Sequence, residues 1–338
     1  MCLLAVIVVG AFGAGRALAQ DPTLRFGGQI PPDVDTIYER GLAWLANAQS
    51  PEGPWKGGGN EGCGVDGICL MAFLASGDDP NYGRYAPVIR RVIRSMIERQ
   101  DDKTGYLPDS MYHHGFGMLA LSEAYGTVDE SLLWEGGKAK RSIAQTLDLA
   151  IRCAETAQKK NRWAGWRYSP DATDADTSVT GAVLMGLLAA RNAGMDVADE
   201  TINSAMDYMR RSTGKDGSVA YSGGFGGMGG SMNLTAVSTL VSAVSKGKDT
   251  DQYKATLKRL QDNLEQHEAG GYAEYFRYYM AQALFQGDYP SWQKWNDALV
   301  RELHDKQRED GSFGGAYNTG MSLLALALNY RFLPIYER

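Results

Sequence analysis

The sequence predicts an all-α protein built as a double ring, an (α/α)6 arrangement of six inner and six outer helices. Three observations lead there. An amphipathic segment running into a turn that holds Gly and an aromatic recurs six times. Each turn leads into a second segment with few charges and many Ala, Gly, Leu and Met. The copies are spaced by roughly 40 to 60 residues, the range of helix-pair repeats.

The first copy is the clearest: Gly41-Leu42-Ala43-Trp44-Leu45-Ala46-Asn47-Ala48-Gln49 leads into Ser50-Pro51-Glu52-Gly53-Pro54-Trp55. Later copies set Gln100 before Gly105-Tyr106, Gln158 before Gly165-Trp166, Gly217 before Tyr221, Gly271 before Tyr272, and Gln307 before Gly311-Ser312-Phe313. Gly at such a turn takes a left-handed backbone without steric cost, and the aromatic beyond it folds back over the helix end. The Gln amide supplies donors and acceptors to open backbone groups.

Apolar residues recur at three and four positions, with charges between, over residues 34–49, 86–100, 143–158, 199–211, 251–267 and 292–307. These are the outer helices, each with one wet face. The partner segments 65–76, 112–125, 176–192, 233–245, 275–286 and 318–330 are nearly charge-free, as inner helices buried all round must be.

Ahead of the repeats, residues 1–19 read as a secretory signal: an apolar core from Leu3 to Phe12, then small residues ending in Ala17-Leu18-Ala19. No Lys or Arg precedes that core, which leaves a short membrane anchor as the alternative. Residues 20–33 form a linker and 34–338 a single domain. The expected location is secreted or periplasmic, with no stable membrane insertion after cleavage, since nothing later is long and apolar enough to span a bilayer.

The net charge is −6, and loss of residues 1–19 removes one Arg and no acid. A mildly acidic chain without a basic cluster is not expected to bind nucleic acid or anionic lipid. Beyond the leader stand Cys63, Cys69 and Cys153, so any disulfide would leave one thiol over. Stability is expected from a large core, which a chain of this length can bury.

The repeat pattern resembles the terpenoid-cyclase and protein-prenyltransferase α/α toroids over essentially the whole chain after the leader. Closer likeness, to secreted planctomycete-type squalene-cyclase-like repeat proteins, lies in four stretches. They are Tyr112-His113-His114-Gly115 with Leu119 to Gly126, Asp176-Thr177-Ser178-Val179-Thr180-Gly181, Trp292-Gln293-Lys294-Trp295-Asn296, and Tyr330-Arg331-Phe332-Leu333-Pro334. The resemblance implies the toroid and brings no assigned reaction.

In a double ring every repeat turn leads from an outer helix to an inner one, so the inner N-termini gather at one mouth. The expected ligand-binding residues are Asp66, Tyr112, His113, His114, Thr177, Asn233, Tyr275, Arg277, Tyr278, Tyr317 and Asn318. Asp174 and Asp176 are the candidate catalytic acids. Squalene-hopene-type cyclases protonate an alkene with the middle Asp of a DxDD run, an acid kept protonated by its surroundings. Here the run reads Thr173-Asp174-Ala175-Asp176, with Ala175 in the donor's place. The alternative role for Asp176 is the N-cap of the third inner helix.

Prenyltransferase-type zinc sites use an Asp with a Cys two residues later, which this chain lacks. No cofactor is expected; the zinc alternative is a set of His113, His114, Cys63 and Asp66 meeting across the mouth. Gly62-Cys63-Gly64-Val65-Asp66 resembles the motif of complement-type thioester domains, but Asp66 stands where the thioester needs Gln. Cys63 is expected to be a small buried residue or a reactive thiol. His267 and His304, on outer helices, are expected to face solvent. Residues 222–230, rich in Gly, suit a lid or linker.

The function expected is a binding or interaction module that holds an isoprenoid or other apolar molecule, or an extracellular protein, at the mouth of the central cavity. The alternatives are a terpenoid-cyclase- or prenyltransferase-like enzyme using Asp174 or Asp176 as acid, and a glycan hydrolase or lyase.

Overall fold

The computed structural model describes residues 30–56, 61–134, 136, 139–222, 230–268, 271–330 and 333–337 of the 338-residue sequence. The expected leader, most of the linker and the core of the Gly-rich segment lie outside the described residues. Twelve α-helices make up the described chain, with no strand beyond two isolated bridges.

The outer helices are α1 (Pro32–Ala48), α3 (Ala86–Arg99), α5 (Ile143–Lys160), α7 (Asp199–Arg211), α9 (Asp251–Gln261) and α11 (Tyr289–Lys306). Between them run the inner helices α2 (Cys63–Leu74), α4 (Met111–Ala124), α6 (Thr177–Asn192), α8 (Met232–Val244), α10 (Ala273–Gly287) and α12 (Ala316–Leu326). Burial follows the sequence pattern. Every residue of α2 is buried, whereas α3 buries only one face, through residues such as Val88, Ile89, Val92, Ile93, Met96 and Ile97.

Each inner helix packs on its two inner neighbours, and α12 returns to α2, which closes the ring. The seam between last and first repeats is hydrogen-bonded: Gln307 Nε2 donates to Ile37 O at 2.9 Å, and Arg40 donates to Arg308 O at 2.7 Å. Shorter than expected, α9 stops at Gln261. The final inner helix tightens after Leu326 into a 3-10 turn, Ala327–Asn329.

The repeated Gln is a staple between neighbouring repeats. Gln49 Nε2 donates to Gly53 O in its own turn and to Val88 O of the next outer helix, at 2.8 and 3.0 Å. The same pair is made by Gln100 to Gly105 O and Thr146 O, by Gln158 to Ala164 O and Thr201 O, and by Gln307 to Gly311 O and Ile37 O. One amide thus satisfies two carbonyls that would otherwise be orphaned at a helix junction.

Turn glycines allow this close approach. Gly105 sits at φ +74°, and a Cβ there would lie 2.1 Å from Leu149 O; at Gly53, φ +111°, it would lie 2.4 Å from Arg91 O. The third turn departs from the sequence expectation. Ala164, at φ +59°, takes the left-handed place, and the adjacent Gly165 instead makes room for Thr180 and Ala175.

A second constant ties each turn to its inner helix. The backbone N–H of Trp55, Leu107, Trp166 and Phe313 donates to the side chain of Asp66, His114, Thr180 and Thr319 respectively, always the fourth residue of the inner helix. Asp66 and His114 are therefore repeat equivalents of two threonines.

Candidate functional site

One end of the ring holds a cavity of about 620 Å³. All six inner helices contribute to it from their N-terminal turns: Val65 and Ile68 from α2, Tyr112 and His113 from α4, Ser178 from α6, Asn233 and Leu234 from α8, Tyr275 from α10, and Tyr317 from α12. Three loop tyrosines, Tyr168, Tyr221 and Tyr272, complete the rim and are 49%, 38% and 68% exposed. The hydroxyls of Tyr168 and Tyr221 lie 3.3 Å apart.

The cavity is confined to the mouth because aromatics close the bore beneath it. By ring order α4 and α10 lie opposite each other. Tyr112 meets Tyr275 across the axis with ring centroids 6.2 Å apart, and one turn deeper Phe116 meets Tyr278 at 5.9 Å. Tyr279 packs behind, 4.7 Å from Tyr275 and 4.9 Å from Tyr278. The chain's C-terminal end docks on the ring as well. Ile335 N donates to Glu123 Oε2 at 3.3 Å, with Leu333 and Ile335 buried.

Among the described residues no Asp, Glu, Lys or Arg lines the cavity. Burial pushes His113 below the ordinary imidazole value, and its Nδ1 accepts from Gly64 N at 3.1 Å, so it is neutral at pH 7. Burial likewise raises the phenols of Tyr112 and Tyr275 far above the usual value, and that of Tyr317 to about 12. The lining is an uncharged set of ring faces, O–H groups and short aliphatic chains, with helix N-termini around it that favour electron-rich atoms.

Of the expected ligand-binding residues, Tyr112, His113, Asn233, Tyr275 and Tyr317 come together here. The others do not. Arg277 is the largest departure: its guanidinium turns outward and is buried against Glu302 at 2.5 Å and Glu268 at 3.2 Å. A buried cation needs such partners, and the apolar bore offers none. Tyr278 fills the bore instead of lining the cavity.

Asp66 accepts from Trp55 N at 3.0 Å and is ion-paired with Arg99, which makes it a turn anchor. His114 is no rim histidine. Its Nδ1 accepts from Leu107 N and its Nε2 lies 3.0 Å from Ala150 O, and burial pushes it down to about 4. The Thr177 hydroxyl donates to Ala220 O at 2.7 Å, and Asn318 reaches back to Phe313 O at 3.4 Å.

The two candidate acids separate. Asp174 is exposed and paired with Arg167 at 2.9 Å. Asp176 is fully buried as the N-cap of α6, its Oδ1 accepting from Val179 N at 2.8 Å and from the Ser178 hydroxyl at 2.7 Å. Burial raises its carboxyl above the ordinary range, opposed by those two donors, and Oδ2 has no partner. Ser178 stands between this carboxylate and the cavity.

The zinc alternative is not assembled. Among the described residues no three of His, Cys, Asp and Glu converge as metal ligands. Cys63 packs at the α2–α4 contact, where a Cβ on Gly117 would lie 3.2 Å from its sulfur, and burial raises its thiol far above the usual value. Gly62 and Gly64 are explained by the same contact: a Cβ on either would strike His113 at 2.7 Å. Nor does His267 face solvent. It lies 2.8 Å from Glu302 and stacks on Trp295 at 5.3 Å.

Tyr168, Tyr221 and Tyr272 were not among the expected site residues. The fourth and fifth turns lack the Gln staple, and their aromatics, unlike the buried Trp55 and Trp166, are released to the rim. That missing Gln is the sequence signal that marks Tyr221 and Tyr272; Tyr168, two residues past Trp166 in a turn that keeps its Gln158 staple, carries no such signal.

No family model and no curated protein matches the chain. Solved structures do. The fold aligns with GH76A α-1,6-mannanase from Salegentibacter sp., an inactive variant in complex with α-1,6-mannotetrose, at TM-score 0.64 and 10% identity, over 88% of this chain and 98% of that one. It also aligns with a variant of the type II terpene cyclase MstE from Scytonema in complex with geranylgeranyl dihydroxybenzoate, at TM-score 0.59 and 13% identity, over 92% and 99%. For the unliganded form of MstE the values are 0.57 and 13%, over 89% and 99%. At these identities the likeness is one of fold, and the chain is an α/α toroid.

Proposed function

We propose that this protein binds an uncharged, largely apolar small molecule at the tyrosine-lined mouth of the toroid and acts as a binding module. The observation that carries the reading is the lining itself: a cavity of about 620 Å³ with, among the described residues, six tyrosines, Val65, Ile68 and Leu234 and no ionic side chain. Concave, mostly apolar pockets with a few placed polar groups are the usual form of a small-molecule site. An isoprenoid is the favoured class, and MstE in complex with geranylgeranyl dihydroxybenzoate supplies a precedent within the fold.

Two features weigh against catalysis. Polyene cyclisation needs a deep aromatic chamber and an available acid, whereas the Tyr112–Tyr275 and Phe116–Tyr278 contacts fill the bore and Asp176 is engaged as a helix cap. Glycoside cleavage needs two carboxyl groups flanking the bond, and no carboxyl of the described residues lines this cavity.

A neutral saccharide is the second reading, favoured by the exposed rings of Tyr168, Tyr221 and Tyr272, which suit stacking on sugar faces. The mannanase in complex with α-1,6-mannotetrose is its precedent. Export through residues 1–19 would place either ligand outside the cytoplasm, and N-terminal sequencing of protein from its own host reads that directly.

Native mass spectrometry of the protein from the same source tests the function. A retained uncharged molecule, lost in Tyr168→Ala/Tyr221→Ala, supports the reading. A ligand equally retained by that variant, or a tightly held metal, contradicts it.

A further inference from the structure

Beneath the cavity the hydroxyls of Tyr112, Tyr275 and Tyr279 are enclosed and make no hydrogen bond of ordinary geometry. Tyr275 and Tyr279 reach each other, and Tyr112 reaches Tyr317, in hydrogen bonds that fall short of ordinary geometry, and the Asp176 carboxylate and Tyr168 also act on Tyr275. Enclosed donors are normally well paired, and each poorly paired one disfavours the folded state and favours a better-placed acceptor. Three gathered at one depth of one bore are a feature of the site's floor, not scattered packing faults.

Tyr112 and Tyr275 belong to the cavity wall, and Tyr279 lies one helical turn deeper on α10. All three phenols are held protonated by burial and can donate. The one nearby cation on α10, Arg277, is turned outward into Glu302 and Glu268. A carboxylate or phosphate would therefore meet donors but no positive charge, at a desolvation cost that donors alone do not repay.

We infer that Tyr112, Tyr275 and Tyr279 form a head-group subsite that takes one neutral oxygen acceptor, a hydroxyl, ether or carbonyl, at the end of an otherwise apolar ligand. The ligand enters oxygen first, with its hydrocarbon body against Val65, Ile68 and Leu234 and its tail at the Tyr168, Tyr221 and Tyr272 rim. The hydroxyls are covered, so the Tyr112 and Tyr275 rings turn toward the cavity as the oxygen arrives. This inference rests on the proposed binding function and adds the chemistry and orientation of its ligand.

The test compares farnesol with its deoxy analogue, the same hydrocarbon without the hydroxyl, by displacement of a fluorescent apolar probe. Wild type should bind farnesol about tenfold more tightly than the hydrocarbon, the gain expected from one or two added hydrogen bonds. Tyr275→Phe and Tyr279→Phe should each erase that gap, read as the ratio of the two affinities within each variant. Equal affinities in wild type, or a gap that survives in both variants, would overturn the subsite and leave the cavity reading standing. Failure of both probes to bind folded wild type would overturn both. Thermal melts confirm that each variant is folded, and two variants are used so that loss of one leaves the test decisive.

Discussion

Tyr112 and Tyr275 face each other across the axis of the ring, 6.2 Å between ring centroids, from inner helices on opposite sides. This one contact sets the depth of the cavity, and with it the size of ligand the toroid accepts. Everything above it is mouth; Phe116, Tyr278 and Tyr279 fill the axis below.

The rim tyrosines should contribute to binding and little to folding. Tyr168→Ala and Tyr221→Ala, at rings already 49% and 38% exposed, should each weaken ligand binding severalfold. Stability should shift by no more than about 0.5 kcal/mol, as for other surface substitutions. Calorimetric titration beside a thermal melt reads both quantities from one preparation.

The Gln staples should be worth more than a single polar side chain at a helix end suggests. In Gln100→Ala the carbonyls of Gly105 and Thr146 lose their donor. Each stranded carbonyl should cost roughly 1–3 kcal/mol. Denaturant unfolding measures the loss, and Gln307→Ala at the ring seam should behave alike.

Two glycines with similar backbone angles should respond differently. Gly105 has φ +74° and a carbonyl 2.1 Å from any added Cβ, whereas Gly194 has φ +92° and nothing within 4 Å. Gly194→Ala should lose only the left-handed backbone preference, about 1–2 kcal/mol. Gly105→Ala should lose more than about 3 kcal/mol, because the next outer helix must move.

Acid should loosen the fold through His114. Burial lowers its pKa from 6.5 to about 4, so between those values the unfolded chain binds a proton that the folded one refuses. Stability from this group is complete above about pH 6.5 and declines as pH falls toward 4, by on the order of 3 kcal/mol. His114→Gln should flatten the pH dependence in that window, whatever its effect on absolute stability.

The fold was legible because its signals are repeated and local. Helix periodicity, charge-free partner segments and the Gln-to-Gly turns each recur, so packing had only to bring equal units side by side. The site was half legible. Tyr112, Tyr275 and Tyr317, in the first turns of inner helices, do line the cavity, whereas Thr177 and Asn318 in the same turns do not, because the helix face is not readable without the register of its neighbours. Arg277 and Tyr275 are two residues apart on α10, yet one turns to Glu302 and the other to the axis. The turn anchors Asp66 and His114 were misread as site groups because their polar side chains serve a backbone N–H that a threonine serves in other repeats.

The central claim, that the tyrosine mouth holds an uncharged apolar ligand, is tested most directly by photo-crosslinking with a diazirine-bearing farnesol followed by peptide mapping. Labels should fall on segments carrying Tyr168, Tyr221, Tyr272 and Tyr317, and unlabelled farnesol should compete them away. Labelling on the outward faces of α1, α3 or α7, or labelling that excess farnesol does not reduce, would contradict the account.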